Sequence, residues 1–264
     1  MKLANQNISK DDIAVIIPVY KRSLDNAEME YFKHNCTVLQ DYPLFLVAPA
    51  GLNVEKYLAY NDVSVKYFDA TFFKNIAGYN RLLLSELFYN SFDKYKYILI
   101  CQTDAFVFKD ELLSWCQKGY DYIGAPWINK PFFLFQYVLT KMGPLYALRM
   151  VFSNNLFKAV GNGGLSLRKV NSFITALKHE KNRARWKLNE DFYWSFFARV
   201  ENQLLRKPDA KEAALFAIET DPERTMKSQN NEFPMGIHAW ERYNPAFWKP
   251  FIERTLNATN DFKL

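Results

Sequence analysis

From Ile98 to Cys101 the chain is continuously apolar, and the run ends on the polar tripeptide Gln102-Thr103-Asp104 before resuming at Ala105-Phe-Val-Phe108. An apolar stretch without polar alternation fits a central strand of a parallel sheet, covered on both faces. Open α/β sheets bind ligands beyond the carboxyl ends of such strands, which makes Asp104 a candidate site residue. The competing reading is that Thr103 and Asp104 cap a following helix, since these side chains are common N-caps. On these residues alone the two readings stand level.

The flanking sequence predicts a parallel α/β order. Ile13-Ala-Val-Ile-Ile-Pro-Val-Tyr20 reads as a first buried strand stopping at Pro18, and Leu44-Phe-Leu-Val-Ala48 as a second. A helix from about Leu24 to Leu39 fits between them. Val63-Ser-Val-Lys-Tyr-Phe68 alternates and gives a third strand ending at Asp69. Tyr79, Leu82, Leu83 and Leu87 recur at helical spacing, so a helix is expected from about Gly78 to Asn90. Strand, helix, strand, helix, strand is the order of a parallel sheet flanked by helices.

The second half is less regular. Asp121-Tyr-Ile-Gly-Ala-Pro126 reads as a short strand and turn, followed by an aromatic insert from Pro131 to Lys158. Gly161-Asn-Gly-Gly-Leu-Ser-Leu-Arg168 reads as a turn and strand, then a helix from about Val170 to His179. A helix should begin near Glu190, a short element spans Ala210 to Ile218, and an amphipathic segment runs from Pro245 to Leu256.

With 264 residues and 49% apolar composition the chain can bury one large core, so a single domain with two lobes is expected. Cys36, Cys101 and Cys116 form no CxxC pair, which argues against a disulfide framework or a zinc site and suggests a reducing compartment. Residues 1–12 lack the apolar core of a signal peptide and no apolar run is long enough to span a bilayer, so a cytoplasmic protein is expected. The formal charge of +6 is unevenly spread, because no Asp or Glu occurs from Tyr122 to His179, where Lys130, Lys141, Arg149, Lys158, Arg168, Lys169 and Lys178 stand. Such a segment attracts phosphates, whether on a nucleotide or a lipid headgroup, or is a solvated basic face. Its basic residues follow no nucleic-acid-binding motif, and no nucleic-acid partner is expected.

Taken in order, Ile16-Ile-Pro-Val-Tyr20, Gln102-Thr-Asp-Ala-Phe106, Gly161-Asn-Gly-Gly-Leu-Ser-Leu-Arg168, Asn189-Glu-Asp191 and Gly236-Ile-His-Ala-Trp240 resemble a bacterial family of GT-A-type glycosyltransferases. The resemblance implies a GT-A-like (Rossmann-like) α/β fold with a mixed, mostly parallel sheet. It implies a nucleotide-sugar-binding half at about 12–125 and an acceptor-binding half at about 126–264. The activity implied is transfer of a sugar from a nucleotide diphosphate to a glycan or lipid-linked acceptor, in bacterial surface polysaccharide synthesis. A divalent cation, Mn2+ or Mg2+, would be the cofactor, held by Asp104 and by His238. Gln102 stands where the family's DxD has its first carboxylate; it can offer an amide oxygen but no charge.

By the same resemblance Asp191 is the expected base of an inverting transfer, with Glu190 in reserve. The simpler alternative is that both favour the positive N-terminus of their helix. Asn162, Gly163 and Gly164 form a loop able to present backbone N–H groups to a sugar or phosphate, or an ordinary turn. Donor contacts are expected at Pro18, Tyr20, Asp69, Arg81, Gln102, Thr103 and Asp104. Tyr20 would stack on the base and Asp69 would accept from uracil N3–H, so a UDP-sugar is favoured. The insert at 131–158 is aromatic, basic and free of acids. It either packs as core or a lid, or makes peripheral contact with the inner membrane face. Two rivals are a glycan- or nucleotide-sugar-binding relative that has lost catalysis, and a sugar nucleotidyltransferase, although the latter's Gly-rich loop is missing from Pro18-Val-Tyr-Lys-Arg22.

Overall fold

The computed structural model describes residues 7–59, 62–127, 131–152, 160–179 and 186–261. Residues 1–6, Lys130, Phe157 and Lys158, and the side chains of Phe132 and Phe152, lie outside the described residues. The strands are β1 (Ile13–Pro18), β2 (Leu44–Pro49), β3 (Val63–Phe68), β4 (Tyr97–Cys101), β5 (Ala105–Val107), β6 (Tyr122–Pro126), β7 (Val160–Lys169), β8 (Arg199–Val200), β9 (Gln203–Leu204), β10 (Ala217–Ile218) and β11 (Gly236–His238). The main sheet has the order β3-β2-β1-β4-β7-β6. Its members run parallel except β7, which is antiparallel to both β4 and β6. The mixed, mostly parallel sheet is the one expected. β1 and β4 lie at its centre and are buried along their whole length, which is why they read as unbroken apolar runs.

A smaller sheet, β10-β11-β5, stands beyond the carboxyl end of β4. β4 and β5 belong to different sheets, so residues 102–104 are the step by which the chain changes from one to the other. A strand, not a helix, follows Asp104, and the helix-cap reading of Thr103 and Asp104 is thereby corrected. One apolar layer packs between the main sheet and the helices Ile76–Leu83, Val170–His179 and Glu190–Phe196; a second fills the other face under Asn26–Val38 and Leu112–Gln117. The helix Pro245–Asp261 closes the small sheet through Trp248 and Ile252.

Local chemistry sets the helix limits. Asp25 and Glu28 form a capping box, with Glu28 N donating to Asp25 Oδ1 at 2.8 Å and Asp25 N to Glu28 Oε2 at 3.2 Å. The single helix expected at about 78–90 is two, Ile76–Leu83 and Glu86–Asn90, because Ser85 accepts from Phe88 N and restarts the chain there. The aromatic insert forms two further helices, Pro131–Met142 and Pro144–Phe152. Cys36, Cys101 and Cys116 are free and buried. Among the described residues, no helix is long and apolar enough to cross a membrane.

Candidate active site

The crossing from β4 to β5 brings three side chains together. β11 pairs antiparallel with β5, with His238 opposite Ala105, so the imidazole lies beside the 102–104 step. His238 Nε2 is 3.2 Å from Gln102 Oε1 and 3.2 Å from Asp104 Oδ1, while Nδ1 is 3.4 Å from Glu219 Oε1 on the opposite side. Two backbone bonds fix the corner: Gln102 N donates to Gly164 O at 2.9 Å and Ala239 N to Asp104 O at 3.1 Å. Asp104 keeps 52% of its side chain exposed, whereas Glu219 and His238 are buried.

The electrostatics follow from this packing. Burial alone would lower the His238 pKa, but the carboxylates of Asp104 and Glu219 outweigh it and push it up to about 10. Burial works to raise Asp104, yet its bond to His238 holds the carboxyl below its usual value. A cation taking Nε2 must therefore displace a proton.

The strand β7 forms the floor of the site. The expected turn at residues 161–164 is instead the first part of β7, and its pairing with β6 shifts register at Gly124 and Ala125. These glycines admit close neighbours. A Cβ on Gly164 would lie 1.9 Å from His238 Nε2, and one on Gly163 would lie 2.7 Å from Glu190 Oε1 and 3.6 Å from Asp191 Cβ. Gly161 has φ +129°, a backbone conformation reserved for glycine. Asn162 Oδ1 reaches Gly164 N at 3.5 Å.

On the other side of this floor Glu190 and Asp191 open the helix Glu190–Phe196. Glu190 is gripped by Arg168, with Nη2–Oε1 at 2.8 Å and Nη1–Oε2 at 3.0 Å, both side chains buried. Arg168 also donates to Tyr89 Oη at 2.8 Å and Ser166 Oγ at 3.0 Å, so four of its five N–H donors are engaged. Asn80 ties the helix start down, accepting from Glu190 N at 3.1 Å and donating to Asn189 Oδ1 at 3.2 Å. Among the described residues, Asp191 has no such ion pair. Its burial, with the charges of Glu190 and Glu219, pushes its pKa up to about 8.

Around Gly163-Gly164 the structure thus sets Gln102, Asp104 and His238 by Gly164 and Glu190 and Asp191 by Gly163. Sequence reasoning missed Glu219, Asn80 and the pairing of Arg168; the one available signal was an acid following the short apolar run Ala213-Ala-Leu-Phe-Ala-Ile218. The remaining donor candidates stand at strand ends along the same sheet edge or on a nearby helix. Pro18 ends β1 and Tyr20 beyond it is 61% exposed. Asp69 ends β3 and caps the next turn, accepting from Thr71 N at 2.8 Å and Thr71 Oγ1 at 2.6 Å. Arg81 is exposed on the helix Ile76–Leu83, and Thr103 is partly buried in the step between sheets. A cavity of about 550 Å3, lined by Leu52, Val54, Leu58 and Tyr67 among others, opens near the ends of β2 and β3 and includes none of these candidates.

Among the described residues, no three His, Cys, Asp or Glu side chains are grouped to hold a metal. His238 Nε2 nevertheless stands 3.2 Å from an Asp104 carboxylate oxygen and from the Gln102 amide oxygen, the spacing of neighbouring ligands around a cation bound at ~2.1 Å. The set fits a hard cation whose shell is completed by ligand oxygens. Sheet order and the second sheet beyond the carboxyl end of β4 give a GT-A-like α/β fold. The apo structure of the WbbM bifunctional glycosyltransferase superposes with a TM-score of 0.55 at 15% identity, over 96% of this chain and 50% of that one, so the chain spans half of WbbM's length. Core-mannan synthase A from Aspergillus fumigatus, in its Mn/GDP form, gives 0.44 at 12% identity over 74% of this chain and 70% of that one. The chain belongs to the family described as "Protein of unknown function (DUF5672)", whose model matches residues 62–238. No curated protein sequence matches it.

Proposed function

We propose that the protein transfers a sugar from a nucleotide diphosphate to a hydroxyl of a glycan or lipid-linked acceptor, with inversion. The observation that carries this reading is the convergence of Gln102, Asp104 and His238 on one side of Gly163-Gly164 and of Asp191 on the other. Asp104, His238 and the Gln102 amide would hold Mn2+ or Mg2+, which when bound neutralises charge developing on the departing diphosphate. Glu219 Oε1 stands 3.4 Å behind His238 Nδ1 and would keep Nε2 turned toward Asp104, the usual service of a carboxylate behind a ligating histidine.

Asp191 takes the proton from the acceptor hydroxyl. Its raised pKa makes it a stronger base than an ordinary carboxylate, and Glu190, held by Arg168, is left to position the helix. Tyr20 offers an exposed ring to the base. Asp69 receives uracil N3–H through the carboxylate oxygen that Thr71 does not use, which favours a UDP-sugar.

Calorimetric titration with a panel of nucleotide sugars, with and without Mn2+, tests this. One donor should bind in a Mn2+-dependent manner, Asp104→Ala should abolish that binding, and Glu219→Gln should weaken it ~10-fold or more. Failure of every donor under both conditions would overturn the transferase reading, and a Glu219→Gln titration identical to wild type would remove Glu219 from it.

A further inference from the structure

The helices Pro131–Met142 and Pro144–Phe152 turn back on each other at Gly143, whose φ is +90°. Their inner faces are fully committed: Leu134, Val138, Ala147 and Met150 are at most 1% exposed and join the core. Tyr137 meets Phe192 at 5.3 Å and Tyr146 meets Phe197 at 5.7 Å, ring centre to ring centre, which seats the hairpin on the helix that carries Asp191. The outer face is apolar as well. Phe133, Leu139, Leu145, Leu148 and Val151 are 60%, 39%, 68%, 48% and 40% exposed. These are five of the eleven large apolar side chains exposed among the described residues, so exposed apolar surface is concentrated on this one hairpin.

Charge decides what covers this patch. Lys141 and Arg149 are exposed beside it, and no acid occurs in the sequence from Tyr122 to His179. A second copy meeting the same face about a two-fold axis would bring these cations against their own counterparts, which is unfavourable. An anionic bilayer offers what the face lacks, a negative surface above an apolar interior. The helices, of 12 and 9 residues, are too short to span it and have the form of elements lying in its plane.

We propose that this hairpin docks the protein on the anionic surface of a lipid bilayer, with Phe133, Leu145 and Leu148 entering the headgroup layer. Docking brings the Asp191 helix close to the membrane, where a lipid-linked acceptor would present its hydroxyl. Only that last placement rests on the transferase reading; the docking itself does not.

Co-sedimentation with vesicles of phosphatidylcholine, alone or with phosphatidylglycerol, reads docking without any turnover. Binding should require phosphatidylglycerol and fall as salt rises. Lys141→Gln with Arg149→Gln should weaken it by about 25-fold, two cations at roughly fivefold each. Phe133→Ser, Leu145→Ser and Leu148→Ser together should abolish it while the melting temperature and donor binding stay at wild-type values. Absence of binding to anionic vesicles at low salt would overturn the proposal. So would sedimentation of the wild type as a dimer that the triple variant dissociates, which would assign the face to a second copy. Donor binding by the same samples reports separately on the transferase reading.

Discussion

At the scale of single residues, Asp191 has consequences for both chemistry and stability. Its folded-state pKa of about 8 lies far above the ordinary aspartate value of ~3.9. Between those values the native state holds a proton that the unfolded chain releases. Its contribution to stability is therefore complete below pH ~4 and is lost as pH rises toward 8. Asp191→Asn removes this liability, so the variant should melt above wild type at pH 8, with the gap closing toward pH 5. If Asp191 is the base, turnover should fall ~100-fold or more in the same variant. A variant that keeps its turnover removes Asp191 from the mechanism, and one that melts no higher at pH 8 contradicts the raised pKa. Glu190 and Asp191 illustrate what sequence could convey. Adjacent acids opening a helix look equivalent, and only the fold shows that Arg168, distant by 22 positions, neutralises one of them. Arg168 itself stood in plain view as a basic residue, yet a strand whose successive positions Leu165, Ser166, Leu167 and Arg168 are all buried implies that its polar members have partners.

At the scale of elements, runs of apolar residues revealed the strands because burial on both faces leaves no room for alternation. β1, β2 and β4 were legible for that reason, while the split at Ser85 was hidden inside a helical spacing that one capping hydroxyl interrupts. The glycines of β7 were harder to interpret. Read as a turn, they proved to be strand, and the structure shows that two of them serve closeness: Gly164 lies under the His238 ring and Gly163 under Glu190. Alanine at either position would need its neighbour to move, since contacts below 3.0 Å are not sustained by real Cβ atoms. Gly164→Ala should accordingly displace His238 from the Asp104 and Gln102 oxygens. The expected result is Mn2+ affinity reduced ~10-fold or more, together with a lower melting temperature. Unchanged Mn2+ affinity would mean that His238 is not a ligand, because no placement of the ring seen here survives that methyl group.

At the scale of the whole molecule, the proposed division into a donor half and an acceptor half does not coincide with a division of the sheets. β7, from the second half, is inserted between β4 and β6 of the first, pairing along Leu99 with Leu167 on one edge and Ile123 with Leu167 on the other. β5 of the first half finds its partner in β11 near the chain's end. Each half therefore lacks the backbone donors and acceptors that complete the other, and buried unpaired peptide groups carry a penalty comparable to lost hydrogen bonds. The same interleaving assembles the candidate site, since Asp104 comes from one half and His238 with Asp191 from the other. A fragment ending at residue 126 would keep β1–β4 but leave β4 with an open edge and β6 without a neighbour. We expect that fragment to lack cooperative unfolding by circular dichroism, and the full chain to unfold in one transition that far-ultraviolet and tryptophan signals report at the same denaturant concentration. Two separated transitions in the full chain would show that the halves fold independently, and the ligand-based division would then be a division of the fold as well.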